Sequence, residues 1–384
     1  MVFYYKQGEL PKKRHTVFTK DGKLVREEVF GINGFSGRYS LLYHLNPPTR
    51  IVRLEEWKDN SIQEWKSSGY RHHKLSTSKL RESNDAFLDR ITLLFNEDTF
   101  ISYVKTSEGE SKVFYRNADF DEIYYVHEGE ILFKSLFGEI NVSQGDYLVV
   151  PRGTTYTFVF KKYSELLVVE GKQVELPKNY RNEYGQLVEG SFYYNRDIRL
   201  PTLRTYDEKG NYRLVIKTSN GFQFVELDTH PFDVVGWDGY LYPFALSVYD
   251  LEPITGKLHQ PPTMYTTFTA SNFVVCTFVP RLFDYHPQAV PISYYHNNVD
   301  ADEMIFYSSG QFMSRRGISK GDITLHRGGH IHGPQPGAVE LSLNKRGTYN
   351  DEVAVMVETQ KRLKVSLYAK EIDDPSYPLS WYNY

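Results

Sequence analysis

A single cysteine, Cys276, stands in a chain of 384 residues, which excludes an intramolecular disulfide framework and fits a reducing compartment. Its setting, Phe273-Val274-Val275-Cys276-Thr277-Phe278-Val279, reads as a core strand in which the thiol packs as a small apolar group. No apolar run is long enough to span a bilayer, and the segment MVFYYKQGELPKKRH lacks the apolar stretch of a secretory leader. A cytoplasmic protein without a membrane partner is therefore expected. Neither sign of charge is in excess, since 45 basic and 48 acidic side chains leave a net charge of −3. With no basic run and no aromatic-basic interleaving, a nucleic-acid partner is not expected either. Helical periodicity is scarce. Only Thr77 to Ile91, with Leu80, Phe87, Leu88 and Ile91 at roughly helical spacing, predicts a helix ahead of the first strand-rich segment. No low-complexity linker divides the chain, so its halves are expected to pack together.

What is present is strand-forming. The 31 tyrosines favour strands and interfaces, which predicts a β-rich chain and a homo-oligomer. The length exceeds one typical domain. Residues 1–89 are punctuated by Gly31-Ile32-Asn33-Gly34 and Asn46-Pro47-Pro48 and read as an N-terminal arm with short strands and the helix. Residues 90–190 alternate apolar and polar positions between Glu-Gly, Phe-Gly and Gln-Gly-Asp turns, the pattern of an antiparallel barrel. Residues 191–384 read as a second barrel, its strands running from about Leu214 to Val357, with an irregular C-terminal tail carrying Pro375 and Pro378.

The two barrels read as copies, and an internal repeat constrains a fold ahead of any single motif. When Glu122 is aligned with Glu303, Gly129 falls on Gly310 without a gap. Gly145-Asp146 followed by Pro151-Arg152-Gly153 then matches Gly321-Asp322 followed by Arg327-Gly328-Gly329. The late copy offers His296, Glu303 and His332; two histidines and a carboxylate leave coordination positions open and suit non-haem Fe(II). Asp300 and Asp302 compete with Glu303 for that role, as His326 and His330 do with His332. In the early copy the histidine positions hold Tyr115 and Tyr156, so the first barrel is expected to be metal-free.

The paired motifs resemble those of the cupin superfamily, in which His-x-His-x(3-4)-Glu precedes Gly-x(5)-Pro-x-Gly-x-x-His. Asn298 stands at the second histidine of the first motif and Arg327 at the proline of the second. The match selects His332 and implies a mainly β bicupin, two double-stranded β-helix barrels with an arm. Within that superfamily the chain resembles homogentisate 1,2-dioxygenase. The resemblance is carried by His259-Gln260-Pro261-Pro262-Thr263-Met264-Tyr265-Thr266, Phe278-Val279-Pro280-Arg281, Tyr294-Tyr295-His296-Asn297-Asn298, Leu325-His326 with His332-Gly333-Pro334, and Gly236-Trp237-Asp238-Gly239. It implies iron ligation by His296, Glu303 and His332, acid–base catalysis by His259, and a substrate-facing His326. It also places Tyr295, Phe312 and Arg315 around the substrate, with Arg281 a second cation that could hold a carboxylate or serve only as an ion-pair residue. His326 could equally support a ligand. Three features depart from the family: the His-to-Glu interval is seven where the family has six, Phe312 replaces a tyrosine, and Arg315 replaces a lysine. The implied reaction is Fe(II)-dependent addition of O2 to homogentisate or a related para-diol aromatic acid, giving a maleylacetoacetate-type product in tyrosine and phenylalanine catabolism. Gentisate or hydroquinone as substrate stays open, as does a bicupin that binds a metal or small molecule without oxidising anything.

Overall fold

The computed structural model describes residues 3–312, 314–315 and 317–382. The strand-rich middle of the chain closes into a first barrel from two sheets. One sheet orders Phe244–Ser247, Asp146–Val150, Asp121–Glu128, Ser164–Gly171, Phe100–Thr106, Ile91–Phe95 and Lys364–Val365. The other orders Gly138–Ser143, Glu130–Ser135, Tyr156–Phe160, Phe114–Asn117, Lys209–Lys217, Gly221–Thr229 and Arg53–Leu54. Side chains two apart on a strand share a face. Tyr124 and Val126 therefore turn into this barrel's own core with Phe133, Tyr156 and Phe158. Their neighbours Ile123 and Tyr125 enter the larger core shared with the second barrel.

The second barrel is built on the sheet Thr266–Thr269, Phe273–Phe278, Val353–Thr359, Asp302–Ser309, Asp322–His326 and His73–Ser76. The barrels meet face to face: Tyr125 and Ser308 hydroxyls lie 2.7 Å apart, and those of Tyr147 and Thr277 2.8 Å apart. Cys276 is buried in this core, as its flanking residues predict. In the N-terminal region, Tyr5–Gly8, Arg26–Gly31 and Tyr39–His44 form a four-stranded sheet with Val234–Gly239.

The repeat holds at the level of register. Glu122 lies opposite Val150 and Glu170, and Glu303 lies opposite His326 and Glu358. The Gly-Asp turns are also alike. Gly145 and Gly321 take φ of +88° and +85°, where a side chain would be strained. The aspartate after each accepts a backbone N–H from three residues earlier, Ser143 to Asp146 at 2.7 Å and Ser319 to Asp322 at 2.9 Å.

Two expectations fail. No α-helix forms over Thr77 to Ile91; only a 3-10 turn, Thr77–Lys79, is present. Asp85 instead accepts the backbone N–H groups of Phe87 and Leu88 at 2.8 and 3.0 Å, an Asx-type turn that competes with helix. Phe87 then plugs the first barrel, stacked on Tyr115 at 4.5 Å. The second error concerns the boundary between barrels. Lys209–Lys217 pairs in parallel with Phe114–Asn117, and Phe244–Ser247 pairs with Asp146–Val150. These strands belong to the sheets of the first barrel and not to a second barrel that begins at 191 or Leu214. Local pattern cannot tell which sheet a strand will join.

Candidate metal centre

His296 and His332 sit on two loops joined by a two-way backbone bridge, His296 N–H to His332 O at 2.8 Å and the reverse at 2.9 Å. Glu303 lies near the start of the strand Asp302–Ser309 and is buried. One ligand atom from each residue falls within 4.8 Å of the others. His296 Nε2 is 3.6 Å from Glu303 Oε2, and His332 Nε2 is 3.5 Å from Glu303 Oε1.

The second nitrogen of each ring sets the tautomer. His296 Nδ1–H donates to Tyr294 O at 3.1 Å and His332 Nδ1–H to His330 O at 3.0 Å. Both Nε2 lone pairs then face the carboxylate, an arrangement that a metal cation held between them would reconcile. His332 Nε2 is buried without a hydrogen-bond partner. The donor set, two neutral imidazoles and one carboxylate, fits a divalent transition metal. Burial alone would raise the pKa of Glu303, but the three imidazoles gathered on it, with His326 donating at 2.6 Å, hold its carboxyl well below the usual range.

One of the two competing carboxylates, Asp302, is removed by strand alternation. Asp302 points away from Glu303 and is held by Arg327 Nη1 at 2.9 Å, Arg362 Nη1 at 3.0 Å and the N–H of Gly328 and Leu363, both at 2.9 Å. In the first barrel the matching Glu122 meets a guanidinium: Arg90 Nη1 lies at 2.8 Å, with the hydroxyls of Tyr156 at 2.5 Å and Tyr115 at 3.2 Å. The two residues that replaced histidines thus hydrogen-bond to the carboxylate.

A cavity opens over the metal centre. His259, Arg281, His296, Glu303, Tyr307 and Arg315 are among the residues of its wall. Its apolar faces include Phe283, Ile292, Ile305 and Met356. His259 is half-buried, with Nδ1 3.8 Å from Asp284 and Nε2 without a partner; burial lowers its pKa. Arg315 donates through Nε to the Tyr307 hydroxyl at 3.2 Å and through Nη1 to Gly333 O. Arg281 is 3.7 Å from Glu352 and lies over the rings of Tyr265 and Phe278. Burial raises the pKa of Glu352.

Three residues expected around the substrate are elsewhere. His326 is fully buried and does not line the cavity. Its Nδ1–H donates to Glu303 Oε1 at 2.6 Å and its Nε2 accepts from the Tyr377 hydroxyl at 2.9 Å. Phe312 packs against the outside of Tyr307, ring centroids 4.9 Å apart, and Tyr295 is exposed beyond the cavity wall. Conversely, Glu352, Tyr307 and the C-terminal pair Tyr377 and Trp381 were not anticipated. Glu352, Tyr377 and Trp381 come from segments with no motif of their own, while Tyr307 lies inside the repeated stretch Glu303 to Gly310 at a position that carries no ligand; only the fold brings the four to the centre. Trp381 donates to Gly333 O at 3.2 Å, next to His332.

With this geometry established, comparison with known proteins is informative. The family profile described as homogentisate 1,2-dioxygenase N-terminal matches residues 37–251, so the metal-centre residues lie beyond the matched segment. A Saccharolobus solfataricus protein named "Putative dioxygenase" is 82% identical over 382 residues, covering 100% of both chains. Homogentisate 1,2-dioxygenase of Rhizobium rhizogenes is 26% identical over 372 residues, covering 87% of this chain and 79% of its own. Among solved structures, a cupin-2 domain protein of Shewanella frigidimarina matches 25% of this chain and 87% of its own at 23% identity, with a TM-score of 0.22. The hydroquinone 1,2-dioxygenase of Sphingomonas sp. TTNP3 matches 23% of this chain and 68% of its own at 20% identity, with a TM-score of 0.20. Those two structural matches are too distant to bear on function. Mainly β, and built from two cupin-type barrels whose motifs share one register, the chain belongs to the homogentisate 1,2-dioxygenase family.

Proposed function

We propose that the protein is an Fe(II)-dependent ring-cleaving dioxygenase acting on homogentisate or a closely related para-diol aromatic acid. One observation carries this reading: His296, Glu303 and His332 converge beside a cavity that also holds a half-buried histidine and a guanidinium with no carboxylate partner among the described residues. Bound Fe(II) would supply the electron pathway between diol and O2 that the side chains lack. The chain's own residues do the rest. His259, kept neutral by burial, takes the proton of a diol hydroxyl at its free Nε2. Arg315, which makes no ion pair among the described residues, anchors the substrate carboxylate through a forked contact. Arg281 is partly neutralised by Glu352 and serves less well as an anchor. The apolar faces of Ile305, Met356 and Phe283 exclude water from the ring.

Hydroquinone is the second reading. Its supporting observation is Phe312, which leaves the family's tyrosine hydroxyl out of the substrate's surroundings. Oxygen uptake by anaerobically Fe(II)-loaded protein separates the two readings. The panel is homogentisate, gentisate, hydroquinone and catechol, with His296→Ala as control. Uptake with homogentisate and a maleylacetoacetate-type absorbance is expected. Uptake with hydroquinone alone would keep the chemistry and move the substrate. No uptake with any diol at stoichiometric iron would overturn ring cleavage.

A further inference from the structure

A second, larger cavity lies outside the metal centre, about 1810 Å³ including its open mouth. It separates the N-terminal region, residues 28–33 and 44–51, from the outer face of the first barrel. Its floor comes from two strands whose inward residues fill the barrel core, leaving Leu214, Ile216, Val225 and Leu227 to line the cavity. Arg116 stands on the adjoining strand Phe114–Asn117, also facing outward.

Charges on the wall are matched within the protein, with one exception. His44 lies 2.8 Å from both Glu28 and Asp233. Arg50 pairs with Asp228, and Arg152 Nη1 lies 3.4 Å from Asp121. Arg116 has only a hydroxyl: its Nε and Nη2 donate to Thr155 Oγ1 at 2.9 and 2.7 Å. Among the described residues it makes no ion pair. Glu28 acts on it through space but is engaged by His44. A guanidinium partly withdrawn from water without a carboxylate partner is a costly arrangement. Its Nη1 is unused, and the Thr155 hydroxyl, accepting both Arg116 bonds, keeps its own proton to donate. Two kinds of donor and no committed acceptor make an anion site, and the apolar floor beside it suits a hydrocarbon body.

We propose that this cavity binds an organic acid, its carboxylate on Arg116 and Thr155 and its apolar part on the Leu214–Leu227 floor. The site is separate from the metal centre and answers to a different residue. Isothermal titration with octanoate, octanamide and inorganic phosphate tests it on the 384-residue protein, on Arg116→Met, on His296→Ala and on Arg315→Met. Octanoate is expected to bind wild type and His296→Ala alike. Binding to Arg116→Met should be weaker by about tenfold or more, the worth of a charge-assisted hydrogen bond, while diol-driven oxygen uptake stays unchanged. Octanoate binding unaltered in Arg116→Met, or lost in Arg315→Met instead, would overturn the proposal. So would octanamide or phosphate binding as tightly as octanoate, or no binding of octanoate at millimolar concentration. Should Arg116→Met fail to fold, Ile216→Glu places a carboxylate on the cross-strand partner position of Arg116, in the same cavity, where it would compete with the ligand for the guanidinium. Unchanged octanoate affinity in that variant would overturn the proposal equally.

Discussion

Arg315 and His259 face one cavity with opposite tasks, and each yields a prediction that can be read separately. On the proposed reading, replacing Arg315 with Met removes the carboxylate anchor while His296, Glu303 and His332 stay in place. The KM for homogentisate should rise by about tenfold to a hundredfold, the cost of a charge-assisted bond, while hydroquinone turnover changes little. Equal loss for both diols in steady-state oxygen uptake would show that Arg315 supports the fold and not the substrate. For His259, burial lowers the pKa, so the imidazole stays neutral and able to accept a proton to lower pH than an ordinary histidine. The acid limb of kcat/KM should therefore fall below about pH 6.5, and it should vanish in His259→Gln. An acid limb above neutrality would place the controlling group elsewhere.

At the scale of elements, the C-terminal segment Tyr377–Leu379 closes the back of the metal centre. The order Tyr377 to His326 to Glu303, at 2.9 and 2.6 Å, orients a ligand through two hydrogen bonds. His326→Leu should lower metal affinity by about tenfold to a hundredfold, the usual effect of losing a group that orients a ligand. Tyr377→Phe should act in the same direction but less, since His326 keeps its bond to Glu303. Chelator competition with Co(II) measures both without needing turnover. In the first barrel, Arg90 is the counterpart of a bound cation. Arg90→Met leaves Glu122 and Glu170 buried with less compensation and should cost about 3–5 kcal/mol of stability, read from urea unfolding. Arg90 was not legible in the sequence, because it lies outside the repeated motif and no spacing rule connects it to Glu122. Glu122 was legible, since its register position repeats.

For the whole molecule, a buried histidine ties the N-terminal strands to the segment that follows the first-barrel strand Gly221–Thr229. Burial opposes charge on His44, but Asp233 and Glu28 raise its pKa to about 9. A group whose folded pKa lies above its unfolded value stabilises fully below the unfolded value, near pH 6.5, and that stabilisation is lost as pH rises through about 9. The melting temperature of wild type should therefore fall between those limits, by a contribution on the order of 3 kcal/mol. His44→Gln should flatten that part of the profile. Parallel profiles for the two proteins would mean that His44 stays neutral. No helix among the described residues is long and apolar enough to cross a membrane.

The amino-acid sequence by itself determined the strand-rich character, the repeat and a short set of candidate ligands. Each is a local pattern: alternation, turn glycines, and histidines at positions that recur in a second copy. The same locality explains what it left open. Asp302 and Glu303 are neighbours in the chain, and only the pleat of a formed strand sends Glu303 toward His296 and His332 and Asp302 to Arg327. His326 and His332 are both compatible with a cavity, and tertiary packing buries the first behind Glu303. The helix over Thr77 to Ile91 had the right spacing, yet Phe87 stabilises more by filling the first barrel than by lying on a helix face. The strands from Lys209 to Thr229 joined the first barrel because its outer sheet had an open edge there. Pairing partners, unlike periodicity, are set by distant residues, so they were decided only when the chain folded.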